Sequence, residues 1–223
     1  MKIEKCYNCG IDIIDDKISR EHIPAKNIFR DIDNRDNKAY KNNLIVPACF
    51  PCNQKYSKID QELRDVLGVI SNDLTKEKVT EKAFRSIMRR KDWNTRVTKE
   101  SKNSRGIVNF SREDLEKTIE KNTKGIFYHE FKTPMPKDFS GNVFLYEELN
   151  DELFKNVINS LKHANIEGIS GNANIFKYKL RILDEFGKDV KDYNNNTQKM
   201  KSIVSTQTYY NNFQTLFIAT KKE

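Results

Sequence analysis

The chain has 223 residues, 40 basic against 32 acidic side chains, a net charge of +8, an isoelectric point near 9.1 and a mean hydropathy of −0.78. That length supplies apolar material for one large domain or two small ones. No apolar run approaches the ~18 residues needed to span a bilayer, and Met1-Lys2-Ile3-Glu4-Lys5 leads into Cys6 without an apolar signal region, so a soluble, cytoplasmic protein with no membrane partner is expected.

In chain order, the first feature is Cys6-Tyr7-Asn8-Cys9, answered across 39 intervening residues by Cys49-Phe50-Pro51-Cys52. The two pairs use every cysteine in the chain. In a chain with no export signal, two C-x-x-C knuckles read as the four thiolates of a closed, tetrahedral structural Zn²⁺ site, not as disulfides. The intervening residues are too many for a simple ribbon and must carry structure of their own. They include Ser19-Arg20-Glu21-His22-Ile23-Pro24 and, just before the second knuckle, Asn43-Leu44-Ile45-Val46-Pro47-Ala48.

Beyond the second knuckle, Ile59, Leu63, Val66, Leu67 and Ile70 have the spacing of an amphipathic helix over 60–70, and Val79, Ala83, Phe84, Ile87 and Met88 repeat it over 76–91. Ser71-Asn72-Asp73 and Thr98 to Arg105 read as connections. Lys76 to Arg105 holds 11 basic and 4 acidic residues, the excess a polyanion-binding surface requires. Ser111 with Asp114 opens a further helix through Leu115 and Ile119, which Gly125 is expected to stop. Strands are expected at Ile126–Phe131, Asn142–Tyr146, Ile175–Leu183, Ser202–Tyr210 and Phe213–Thr220, the last two forming a hairpin across Asn211-Asn212, with one more helix at about Asp151–Ala164. His129 and His163 have no motif around them and read as structural, and Trp93 reads as a packing anchor before a base-stacking surface.

The segment Cys6 to Asp60, about a quarter of the chain, resembles the HNH endonucleases in the variant with zinc knuckles and an E-H-I-P first motif. Together with the helix and strand patterns beyond it, this gives an α+β protein in three parts. Residues 1–60 are a small zinc-stabilised ββα-metal domain, treble-clef-like; 61–105 are a helical basic connector; 106–223 are a C-terminal mixed α+β domain of unknown role. By the same resemblance His22 is the general base that deprotonates a water for attack on a phosphodiester. Glu21 binds a catalytic Mg²⁺ or Mn²⁺, Asn43 holds the loop carrying the base, and Asn53 completes the ion's protein shell, in a position that is His in many members. Lys55 takes the place of a basic side chain near the scissile phosphate. An imidazole of ordinary pKa ~6.5 suits the base, and a hard divalent ion accepts one carboxylate and one amide oxygen while keeping waters.

The expected activity is therefore metal-dependent hydrolysis of nucleic acid, DNA first, in a bacterial or phage defence or mobile-element setting by analogy. Lys55, Lys58, Arg89, Arg90 and Lys91 are candidate phosphate contacts. The C-terminal part is a candidate for a homodimer contact or a regulatory protein subunit. Two alternatives stand beside this: a non-catalytic zinc-dependent DNA- or RNA-binding protein, and an HNH-fold RNase. A binding module needs no complete set of Glu21, His22, Asn43 and Asn53.

Overall fold

The computed structural model describes residues 3–14, 17–29, 42–70, 77–91, 97–99, 106–108, 110–164, 166–190 and 193–222. Trp93, Lys76, Ser71-Asn72-Asp73 and most of the expected connection up to Arg105 lie outside the described residues. The chain is mixed α+β, and among the described residues no helix is long and apolar enough to cross a membrane.

The cysteine-bearing end begins with a small hairpin of β1 (Ile3–Lys5) and β2 (Asp12–Ile14). A second hairpin, β3 (Ser19–Ile23) against β4 (Leu44–Ala48), fills the space between the knuckles and pairs Glu21 with Val46, His22 with Ile45 and Ile23 with Leu44. Helix α1 (Phe50–Lys55) follows at once, started by Pro51 in its first turn, and yields at Tyr56 to α2 (Ser57–Ile70). Leu63 and Leu67 of α2 are buried, as their spacing requires.

Helix α3 (Glu77–Met88) packs on α2 through Ala83 and Ile87. Phe84 and Met88, expected on its buried side, stand outside at 42% and 51% exposure. Among the described elements α2 is the main neighbour of α3, and Phe84 and Met88 lie outside that contact. A polar clamp does much of the docking: Asp65 is buried on α2 and accepts from Arg64, from Ser86 at 2.7 Å and from Arg90 at 2.6 Å. Val97–Lys99 and Gly106–Val108, within and beside the expected connection, pair as a short hairpin, β5 and β6.

Helix α4 (Arg112–Phe131) is the largest departure from the sequence reading. It opens as expected, with Ser111 accepting from the Asp114 amide, but it continues through Gly125 and absorbs the strand expected at Ile126–Phe131. The reason is tertiary. Gly125 lies against Ile23 of β3 so closely that a Cβ there would sit 2.4 Å from the isoleucine side chain. Glycine here permits a close helix–hairpin approach and does not end the helix. The end comes at Lys132, in the left-handed region at φ 57°, with Pro134 beyond. Ile126 and Phe127, apolar and aromatic enough to suggest a strand, are buried because α4 is covered on several sides.

One of those sides is a five-stranded antiparallel sheet in the order β7 (Phe139–Leu145), β11 (Phe213–Lys221), β10 (Ser202–Tyr209), β9 (Phe176–Leu183) and β8 (Ile166–Ile169). The other four expected strands occupy it, joined by the unforeseen β8. The expected hairpin forms, with Tyr210 and Asn211 in the left-handed region of its turn. On the face of this sheet turned from α4 lies α5 (Asp151–Lys162), and a short α6 (Tyr193–Asn196) precedes β10. One apolar cluster runs from Tyr7, Ile23 and Leu44 through Phe127 to Phe176, Tyr209 and Phe217. Leu44 N–H donates to Ser170 Oγ at 3.0 Å, and Tyr210 Oη donates to the Ile28 carbonyl at 2.6 Å, so the sheet's loops grip both ends of the segment that follows β3.

Candidate metal centre and its flanking hairpin

Cys6 and Cys9 sit on the turn after β1, and Cys49 and Cys52 at the start of α1, so one site joins two segments 40 residues apart. Their four sulfurs lie within 4.8 Å of one another, and Cys9 Sγ and Cys49 Sγ are 3.8 Å apart. A tetrahedron with metal–sulfur bonds of about 2.3 Å has edges of about that length. Gly10, at φ 76°, lets the chain turn back so that its amide donates to the Cys6 carbonyl at 2.9 Å. Asn8 Nδ2 points at Cys52 Sγ at 3.4 Å. Burial raises the Cys9 and Cys52 thiols, whereas at Cys6 amides from Cys9, Cys49 and Asn8 outweigh burial and lower the pKa. The four cysteines are thus a cluster able to hold a structural metal such as zinc, as expected.

The cluster fixes α1 beside β3. Asn53 donates from Nδ2 to Ser19 Oγ, and its amide bonds the Cys49 carbonyl at 3.0 Å. Strand side chains alternate, so Ser19, Glu21 and Ile23 share the face turned to the helices, while Arg20 and His22 share the other. Asn53 therefore meets the same strand face as Glu21, at a position one strand repeat (about 6.6 Å) away.

Glu21 does not face open solvent. It is 6% exposed, and its Oε1 accepts from Lys121 of α4 at 3.2 Å. Lys121 is fully buried and also donates to both oxygens of Asp60, at 2.8 and 2.7 Å, with its ammonium 5.4 Å from the Tyr56 ring centroid. Burial opposes the lysine charge, but Asp60 and Glu21 outweigh it and raise its pKa. Two carboxylates thus share one ammonium. Burial, with the Asp60 charge beside it, raises the Glu21 pKa despite Lys121. Tyr7 Oη, buried and without a hydrogen-bond partner among the described residues, feels both carboxylates. The Lys121 bond is made to Glu21 Oε1.

On the opposite strand face, His22 is half-buried across the ladder from the exposed Ile45. Burial and the neighbouring Lys26 charge both lower its pKa, so the imidazole is neutral at pH 7. Asn43 precedes β4, and both atoms of its amide are buried without a hydrogen bond, as is Asn27 Oδ1 in the turn after β3. The amide expected to hold the base-bearing loop thus bonds none of the described residues. Among the candidate phosphate contacts, Lys55, Lys58, Arg89 and Lys91 are exposed. Arg90 is not available: it is bound to Asp65 and Glu62 at 2.6 and 3.4 Å.

Lys121, Asp60 and Tyr7 were invisible to motif reading. Asp60 carried one signal, a place on the same helical stripe as Leu63 and Leu67. Lys121 carried none, because a lysine inside a long helix is ordinarily solvated. No protein-family model, curated protein or solved structure matches this chain.

Proposed function

We propose that the chain is a metal-dependent endonuclease of the HNH type that hydrolyses nucleic-acid phosphodiesters, with DNA as first substrate. The observation that carries this reading is the adjacency of Glu21 and His22 on β3, with Asn53 of α1 donating to Ser19 of the same strand. That His22 lies on the strand face opposite Glu21 and Asn53 favours the competing, non-catalytic reading. A neutral imidazole can take a proton from an attacking water at pH 7. On the other face, the Glu21–Asp60–Lys121 cluster has one more carboxylate than ammonium, and a second cation answers that surplus. Glu21 Oε2 and Asn53 Oδ1 are hard oxygen donors of the kind Mg²⁺ or Mn²⁺ prefers. Such an ion supplies charge stabilisation at the phosphoryl group. The chain's own residues position substrate and move the proton: Lys55, Lys58, Arg89 and Lys91 hold the backbone, and His22 accepts the water's proton at its unprotonated ring nitrogen.

The competing reading, a zinc-dependent nucleic-acid-binding module, draws support from the unbonded Asn43 amide and from the hold of Lys121 on Glu21. Incubation with plasmid, single-stranded DNA and RNA, with and without Mg²⁺ or Mn²⁺, separates the two. Cleavage by the parent protein that His22→Ala abolishes, with unchanged affinity, supports the nuclease. Binding without cleavage under all conditions supports the module, and preferential cleavage of RNA assigns the substrate.

A further inference from the structure

The outer face of the large sheet changes character along its strands. Where α5 covers it, Val157 and Leu161 meet Val204 and Leu216 in an apolar layer, as a helix on a sheet should. Two rungs along, the cross-strand row is Ile169, Lys177, Thr208 and Gln214, and the rung between holds Glu167, Lys179, Thr206, Leu216 and Phe144. The packing there is open, leaving a cavity of about 450 Å³. Its lining includes Thr206, Thr208 and Gln214 from the sheet and Ile158, Leu161 and Tyr146 beside them, with the Tyr146 and Thr206 side chains hydrogen-bonded to each other. At its edge stand three ammonium groups, of Lys162, Lys177 and Lys179, against one carboxylate, Glu167, which bonds Lys179 at 2.6 Å. Among the described residues, Lys177 donates to the Asn211 amide oxygen at 3.2 Å and Lys162 to that of Asn159 at 3.2 Å.

Three of the four residues on the outer rung, Lys177, Thr208 and Gln214, are polar, and all four line a concave site beside the helix. Three kinds of group line it: apolar side chains with an aromatic ring, hydroxyl and amide side chains, and a cationic edge. They match the flat base, the hydrogen-bonding edge and ribose, and the phosphate of a nucleotide, and the volume suits a ligand of that size. We propose that this cavity is a nucleoside monophosphate site, with the phosphate at Lys177 and the base against Tyr146 and Leu161. The proposal does not depend on the nuclease reading, since the cavity lies on the side of the sheet turned away from α4 and the β3–β4 hairpin.

The test is calorimetric titration of the full chain with AMP, GMP, CMP and UMP, with adenosine and with inorganic phosphate, alongside NMR of the threonine methyl groups. At least one monophosphate should bind, shifting Thr206 and Thr208. Lys177→Ala and Gln214→Ala, both at partly open positions, should melt like the parent without ligand, and Lys177→Ala should weaken binding about tenfold, the loss of one charge-assisted contact. Failure of all four monophosphates overturns the proposal. So does phosphate binding as tightly as the nucleotides, adenosine binding as tightly as AMP, or nucleotide shifts confined to residues around His22.

Discussion

Lys121 is the residue on which most of the site's electrostatics turn. It is the only ammonium on Glu21 and Asp60 among the described contacts, and all three are buried. Removing one partner of a buried ion cluster leaves the others unpaired out of water, at a cost of about 3–5 kcal/mol. Lys121→Met, similar in volume, should therefore lower the unfolding free energy measured in urea by that much at pH 7, and part of the loss should return at pH 4, where Glu21, whose pKa burial raises, can take up a proton. An equal loss at both pH values would mean the defect is packing and not charge.

His129 offers a second prediction. It lies in the last turn of α4, where the helix dipole favours a cation, yet burial and the Lys132 charge lower its pKa. Between its folded value and the ordinary value of ~6.5 the unfolded chain binds more protons, so its contribution to stability is present above pH 6.5 and lost as pH falls through the folded value. His22 is shifted in the same direction. Urea unfolding of His129→Gln should show a shallower acid loss between pH 7.5 and 5.5 than the parent, and NMR should place the His129 titration below 6.5.

Among elements, α4 does the joining. Its one face meets the hairpin through Gly125 and Ile23, and another meets the sheet through a buried network in which Asn122 donates to Tyr209 Oη, Tyr209 to Gln207, and Gln207 back to the Ile119 carbonyl and Thr123. Helix propensity alone favours Gly125→Ala by about 1 kcal/mol. The added methyl, however, meets Ile23 at 2.4 Å, and overpacking of this kind costs about 1–3 kcal/mol. Gly125→Ala should therefore be destabilising, and Gly125→Ala with Ile23→Val should recover part of the loss. Stabilisation by the single change would show that α4 and the hairpin are not in close contact. The α2–α3 pair has a different logic: Arg90 is a clamp on Asp65, so replacing Arg89 and Lys91 should reduce the salt dependence of nucleic-acid binding, whereas Arg90→Ala should chiefly loosen α3.

At the scale of the whole molecule, the continuous core predicts one cooperative unfolding transition. The chain should purify with about one Zn²⁺. Cys49→Ser should lower the midpoint of that single transition, because the cysteine cluster holds α1 and β3 against the same core as the sheet. Residues 106–223 expressed alone should lack a sharp transition, since Ile23, Leu44 and Leu63 no longer cover α4. Two separate calorimetric peaks in the full chain would restore the division into independent domains.

Local chemistry was written in the sequence. Two C-x-x-C knuckles are enough to bring four sulfurs together, because chelation depends on residue type and short spacing. The spacing of Leu63 and Leu67 marked α2, Ser111 with Asp114 marked the start of α4, and the β-branched runs 202–210 and 213–220 marked the final hairpin, since periodicity and caps act within a few residues. What surrounds those pieces was decided by the tertiary structure. Gly125 reads as a stop until Ile23 is packed on it, and Ile126 to Phe131 read as a strand until the sheet buries them as helix. Lys121, unremarkable in its own segment, becomes a buried counter-ion because Glu21, 100 residues away, and Asp60 converge on it. Charge pairing and burial act through space, and no window of the sequence contains both partners.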